Sequence, residues 1–458
     1  MESVLQKINA AIWGIPVLIL ILFVGIYLTL RSRFAQFRLL PKAIRQFIHC
    51  LNDRSEDNRV SGYRALCTAL AGTVGTGNIA GIAGAIALGG AGVIFWMWIC
   101  AFLGMIIKCA EVVLAVHFRE NDSNGALCGG PMYIIKNGMP IRFHYLAQIY
   151  SFFGVIAALG VGNATQVNAV TDGIKNIASA FSIHFGHKES VILGVIIAVI
   201  IIPVFLKGAV GIGRMAERLV PPAAAIYIFI ALVLLILRIQ YLPNAFNRIL
   251  EGAFSPKAVT GGVLGSAFIT LRVGVSRGIF TNEAGMGTAS IAHASAQVHS
   301  PMDQGLMGIV EVFLDTVVIC TLTGLVILCS DIPIQYGIDP GIALTLNAFS
   351  VVLGDWCRVL LTILTCIFAF ATILGWGLYG ARCCQFLLGR RGTRAFIAAQ
   401  SITVVLSSVL NTSVIWLFSE IVNGLMAIPN LIALMYLSDV FIRHVKDSSG
   451  NREAYSIK

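Results

Sequence analysis

The stretch Ala71-Gly-Thr-Val-Gly-Thr-Gly-Asn78 sets three glycines among Thr73, Thr76 and Asn78 inside an apolar segment. Each glycine in a helix interior costs roughly 1 kcal/mol against alanine, so Gly72, Gly75 and Gly77 predict a break there. A broken helix has two kinds of bare backbone group. Its amides suit a carboxylate and its carbonyls suit a hard cation. Thr76, Gly77 and Asn78 are therefore expected to hold a carboxylate where the second half-helix begins. A second glycine-interrupted segment, 262–298, carries Gly262, Gly265, Gly274, Gly278, Gly285 and Gly287, and Gly274 with its neighbours is expected to receive an ammonium. The competing reading is that these glycines only let helices pack closely, which leaves the polar run of Thr73, Thr76 and Asn78 less well explained.

The elements that must carry such a site are membrane helices. The chain has 458 residues, 57% apolar and only 12% charged, about half the charged share of a soluble domain, and a mean hydropathy of +0.85. Soluble and disordered classes are excluded. Apolar runs near 12–30, 62–90, 92–117, 147–181, 190–207, 219–238, 262–298, 305–330, 355–388, 395–417 and 421–443 predict eleven transmembrane helices. The net charge of +10 does not require nucleic acid as a partner. Eight Lys and Arg residues fall within 31–64 alone, and the alternate loops that share its side hold most of the rest. This asymmetry predicts an N-terminus outside and a C-terminus inside. The eleven cysteines show no metal-ligand spacing and read as small hydrophobes.

Ten spans after the first divide into five plus five, and an odd number per half makes the halves inverted. The two glycine-interrupted spans open the two halves, which is the arrangement that points to a transporter's midplane site. The expected organisation is an extra N-terminal helix (1–30), a basic cytoplasmic segment along the membrane surface (31–61), a first repeat (62–238), an extracellular linker (239–261), a second repeat (262–443) and a cytoplasmic tail (444–458).

The first broken segment, followed by Gly89-Gly-Ala-Gly-Val-Ile-Phe-Trp-Met-Trp98, resembles the alanine/glycine:cation symporter family. Ser276-Arg-Gly-Ile-Phe-Thr-Asn-Glu-Ala-Gly-Met-Gly287 through Ala292-His-Ala294, and Gly375-Trp-Gly-Leu-Tyr-Gly380, match as well. The resemblance extends over nearly the whole chain. It implies an all-α, leucine-transporter-like inverted repeat that moves alanine or glycine with sodium as coupling ion and no cofactor, in a bacterial inner membrane. By the same resemblance, the Ala71 and Val74 carbonyls face the Ala369 carbonyl and the Thr372 hydroxyl to form a sodium site, with Thr73 serving a second ion. Gln166 is implied to touch the substrate. Trp376 is the expected wall over its side chain, leaving space for hydrogen or methyl. Thr372 has a competing role, bonding its own helix at i−4.

Ionisable residues inside spans are functional hypotheses by default. Lys108 and Glu111, at i and i+3, are expected to neutralise each other. Glu311 and Asp315, at i and i+4, put like charges on one face, so one of them is expected to be protonated or to pair with Arg272 or Arg277. Glu283 and Glu311 are the candidates if protons drive transport, which stays open as an alternative. Two more alternatives remain. Gly274-Val-Ser-Arg-Gly278 fits the G-x-S-x-G pattern of a serine hydrolase with His293 as base, but lies in a glycine-rich span and not at a strand-to-helix elbow. A passive channel is the other, since broken segments also build filters.

Overall fold

Apolar chain that meets no water must bond its own backbone, and helices do so within one segment. The computed structural model describes residues 2–14, 16–51, 60–122, 125–180, 182–254, 267–410 and 413–448. The first half of the chain forms α1 (Glu2–Gly14), α2 (Pro16–Arg31), α3 (Ala35–Leu51), α4 (Gly62–Thr73), α5 (Ala80–Gly89), α6 (Val93–His117), α7 (Pro131–Gly138), α8 (Tyr145–Leu159), α9 (Thr165–Ala180), α10 (His187–Leu206), α11 (Gly208–Leu237) and α12 (Leu242–Phe254). The second half forms α13 (Ala267–Asn282), α14 (Thr288–His293), α15 (Pro301–Val312), α16 (Thr321–Cys329), α17 (Ala343–Leu353), α18 (Trp356–Leu388), α19 (Arg390–Ser407), α20 (Ser413–Tyr436) and α21 (Ser438–Ser448). A short antiparallel pair, β1 (Glu120–Asn121) and β2 (Leu127–Cys128), sits between α6 and α7, with Glu120 opposite Cys128.

Among the described residues, eight helical stretches are long and apolar enough to cross a bilayer. They coincide with eight of the eleven expected spans. The other three differ for physical reasons. Spans 62–90 and 262–298 are each divided into two short helices, α4 with α5 and α13 with α14. The stretch expected at 395–417 overlaps α19, which starts at Arg390-Arg391 and so reads as less apolar. The linker residues 255–261, the start of the seventh expected span (262–266), residues 52–59 and the tail from 449 lie outside the described residues.

The core lies where α6 packs along α13 and α15, and where α18 packs along α8, α9, α11, α19 and α4. Side chains facing outward are apolar too. Ile192, Val199, Phe229 and Ile236 are all more than half exposed along α10 and α11, as lipid-facing helices require. Two π-helical turns interrupt long helices, Gly160–Ala164 between α8 and α9 and Phe313–Cys320 between α15 and α16. Such widened turns free backbone and redirect side chains, and they occur mostly at functional sites.

Breaks form where the sequence permits unusual backbone. α4 starts on Ser61, whose hydroxyl accepts the Arg64 amide at 3.1 Å, and ends at Val74 with extended geometry. Between α13 and α14, Gly285 (φ 93°) and Gly287 (φ 75°) are left-handed, a region that costs a residue with a Cβ roughly 1–2 kcal/mol. Gly287→Ala would also drive a methyl into Pro131 and to within 2.8 Å of Asn430 Oδ1. It is expected to lower the unfolding temperature of the detergent-solubilised protein. Gly81→Ala, in α5 with nothing within 4 Å of the new methyl, is expected to raise it by a margin of about 1 kcal/mol; equal effects would contradict this account of the break.

Candidate functional site

The first break is a single 3-10 turn, Thr76–Asn78, between α4 and α5. Asn78 holds it together: its Oδ1 accepts the Gly75 amide at 2.9 Å, and its Nδ2 donates to Asp315 Oδ1 at 2.6 Å. Neighbouring carbonyls are taken by hydroxyls from other helices. Thr323 of α16 donates to the Asn78 carbonyl and Thr345 of α17 to the Ile79 carbonyl, both at 2.9 Å. These bonds replace the water that a bilayer lacks.

The second break is held from α6. Glu111 Oε1 accepts the amides of Gly285 (2.8 Å) and Gly287 (3.0 Å) and the side-chain amide of Asn430 (2.7 Å). Tyr150 of α8 donates to the Met286 carbonyl at 3.1 Å. The π turn of Phe313–Cys320 reaches both breaks. Asp315 binds Asn78, and the adjacent Thr316 hydroxyl accepts Asn282 Nδ2 at 3.2 Å while donating to Asp315 Oδ2 at 2.8 Å.

Between the breaks is a cavity of about 30 Å3. Its walls are Gly72, Thr73, Gly75, Thr76 and Gly77 of the first broken segment, and Phe280, Thr281, Glu283 and Met286 of the second. Val161, Gln166, Thr372, Trp376 and Asn423 complete it. The expected residues Thr73, Thr76, Gly77, Gln166, Thr372 and Trp376 thus come together around one space. Gln166 reaches across to Thr76, whose hydroxyl points at its Oε1 at 3.5 Å, while its own amide donates to the Val161 carbonyl in the first π turn at 3.2 Å. Trp376 is 1% exposed, and Gly162 packs so tightly on it that a Cβ there would overlap the indole's own Cβ.

Thr372 makes the helix-internal bond weighed for it. Its hydroxyl donates to the Phe368 carbonyl at 2.9 Å, the i−4 bond. Its oxygen also faces the first break, 3.0 Å from where a Cβ on Gly75 would stand. Ala71, Val74 and Ala369 are all buried beside it, at 0–1% exposure. Hydroxyl and carbonyl oxygens of this kind suit a hard monovalent cation.

Several expectations are corrected. Gly274 does not line the cavity; it lies in the continuous part of α13, pressed on Val93 and Trp96 of α6, where a small residue allows close helix contact. The actual break comes at 283–287. Asn78 turns its side chain away to Asp315, because the break needs it as an internal brace. Lys108 makes its close ion pair with Glu311 and not with Glu111. Its Nζ lies 3.4 Å from Glu311 Oε1, both side chains fully buried, while Glu111 serves the second break. Glu311 and Asp315 do not pair with Arg272 or Arg277, which line a separate cavity with Ser276; the π turn between the two acids rotates Asp315 toward Asn78. Glu311 Oε2 instead accepts His293 Nε2 at 3.0 Å, and Gln304 Nε2 donates to His293 Nδ1 at 2.6 Å and to the Gly62 carbonyl at 3.1 Å. His293 is therefore engaged by Glu311 and Gln304 instead of serving Ser276.

Sequence reasoning missed Phe280, Thr281, Met286 and Asn423 as walls and Asn430 as a brace. The signal was present in part: Thr281-Asn282-Glu283 repeats in the second break the polar run that marked the first, and Asn423 and Asn430 are amides in a largely apolar helix.

Two broken helices enclosing a small polar cavity within a bundle of membrane-crossing helices define a secondary transporter, not an enzyme or a filter. The chain matches the model of the sodium:alanine symporter family over residues 1–456, and it belongs to that family. Relatives include the sodium/alanine symporter AgcS of Methanococcus maripaludis, 39% identical across 97% of this chain and 96% of the relative. An uncharacterized transporter of Haemophilus influenzae is 41% identical across 97% and 96%, and the probable sodium/glutamine symporter GlnT of Bacillus subtilis 36% across 99% and 93%. Among solved structures, Mhp1, a nucleobase-cation-symport-1 family transporter in a closed conformation with bromovinylhydantoin bound, shares the fold with a TM-score of 0.55. It is 12% identical and covers 85% of this chain and 93% of its own.

Removing one partner of a buried ion pair strands the other charge, at about 3–5 kcal/mol. Lys108→Met is expected to destabilise the protein by that order. Lys108→Met combined with Glu311→Gln is expected to recover most of it, read as unfolding temperatures in detergent; no recovery would show that Lys108 acts alone.

Proposed function

We propose that this chain couples inward sodium flow to uptake of alanine and glycine by alternating access. The reading rests chiefly on one observation: both helix breaks face a single small cavity, whose walls supply backbone amides, hydroxyls, two amide side chains and an indole. A carboxylate would be held by Thr76, Gly77 and Gln166. Sodium would be held by the Ala71, Val74 and Ala369 carbonyls and the Thr372 hydroxyl, and a second ion near the substrate by Thr73. Trp376 limits the side chain. If ion and amino acid favour the same closed arrangement, each raises the affinity for the other by the same factor. Family membership and the name of the archaeal relative support sodium and alanine as cargo.

The membrane arrangement belongs to the same proposal. α4 with α5, α13 with α14, and α19 would each cross the bilayer, bringing eight crossings to eleven in a 5+5 inverted repeat after an extra first helix. The divisions 1–30, 31–61, 62–238, 239–261, 262–443 and 444–458 follow from that repeat. α3 would lie along the inner surface, since Phe37, Ile48 and Leu51 are exposed there while Ala35, Leu39 and Ala43 are buried. Lys and Arg density in the loops supports an N-terminus outside and a C-terminus inside a bacterial inner membrane.

Proton coupling is kept as a second reading because Glu283, an ionisable side chain, lines the cavity. Uptake of radiolabelled alanine into proteoliposomes, with sodium, lithium or proton gradients imposed in turn, separates the two. Sodium is expected to drive accumulation above the external concentration; a channel would only equilibrate. Thr372→Ala is expected to raise the sodium concentration for half-maximal uptake by roughly tenfold, the worth of about 1.4 kcal/mol; an unchanged sodium dependence would remove Thr372 from the ion site. Trp376→Ala is expected to admit amino acids larger than alanine; continued exclusion would make the indole a packing residue only.

A further inference from the structure

A second cavity, about 250 Å3 against about 30 Å3 for the central one, lies between α1, α5, α13 and α20. Phe280 belongs to the walls of both. The two cavities therefore adjoin at that residue. The larger cavity is charged in both senses, with Arg272 and Arg277 on α13 and Glu420 on α20. α1 sets the position of Glu420: Asn9 Nδ2 donates to its Oε2 and Trp13 Nε1 to its backbone carbonyl, each at 2.7 Å. Neither the central site nor the buried ion network uses these residues.

We infer that this cavity is a receiving site for α-amino acids on the way to the central cavity. Guanidinium forks match a carboxylate in geometry and charge, so Arg272 and Arg277 take the α-carboxylate while Glu420 faces the α-ammonium. The two groups common to every α-amino acid are recognised there, and the volume leaves side chains unsorted. Selection by size occurs one step later, where Phe280 and Trp376 enclose the smaller space. α1 acquires a function in this scheme as the wall that fixes Glu420. The inference rests on the transport reading above, and places the receiving site on the outer side of that orientation.

The test uses full-length protein and leucine as probe, an amino acid expected to fit the larger cavity and not the smaller. External leucine is expected to slow sodium-driven alanine uptake into proteoliposomes without itself accumulating. Arg272→Gln with Arg277→Gln is expected to raise the leucine concentration for half-inhibition at least about tenfold, as loss of charge-assisted pairing implies. The same change should raise the alanine KM several-fold with kcat altered less than twofold. A merely structural pair of arginines would lower kcat and leave leucine inhibition as it was. Independently of transport, leucine in sodium-free detergent should alter tryptophan emission in the unmutated protein, and Trp13→Phe should abolish that change. Leucine that neither inhibits nor alters emission, that accumulates, or that inhibits the arginine variant equally overturns the inference. Absence of sodium-driven alanine uptake would instead overturn the transport reading, since the emission measurement does not depend on it.

Discussion

Peptide groups at membrane depth have no water to bond, and the two interrupted helices of this chain are governed by that fact. The two interrupted crossings could not exist as bare coil. The first is closed by Asn78, Thr323 and Thr345, and the second by Glu111, Asn430 and Tyr150. What remains after these bonds are made is a small set of backbone groups and hydroxyls turned toward one space. The cavity's polarity follows from which groups the braces leave over.

The buried charges make sense within the same constraint. A fully buried lysine is tolerated because Glu311 faces it, and Glu311 is tolerated because His293 shares its other oxygen. Such pairs seldom add stability over an apolar core, so their presence asks for another reason. The chain from Lys108 through Glu311, His293 and Gln304 ends on the Gly62 carbonyl at the start of α4. It ties α6, α15 and α14 to the mobile candidate of an alternating-access cycle. Glu111, three residues from Lys108, ties α6 to the second break. One helix therefore anchors both interrupted segments without lining the cavity itself.

Much of this was legible from the amino acids alone. Glycine clusters announced both breaks because backbone strain is a local property; Thr76 and Gly77 followed from the first break, while Gln166, Thr372 and Trp376 were reached through the family resemblance. Partnerships were not legible. Lys108 and Glu111 stand one turn apart and looked like a pair, yet each bonds across the bundle, because i, i+3 spacing says nothing about which buried acid lies opposite. Gly274 was mistaken for part of a break since a packing glycine and a breaking glycine look identical in sequence; Gly274 lies within regular helix, whereas Gly285 and Gly287 have left-handed backbone, as does Glu283 beside them. Glu311 and Asp315 were assumed to share a face. A π-helical turn, which no residue pattern announced, separates them.

That turn has a bearing on how the family's sequences can change. Phe313–Cys320 holds Asp315 against Asn78 and Thr316 against Asn282, so one widened loop of helix latches both interruptions. Loss of a single amino acid there would tighten the coil to ordinary pitch and swing the following residues by about 100°. Both latches would then point elsewhere at once. Length variation should accordingly be absent from this octapeptide across related genes, even where side-chain identity drifts.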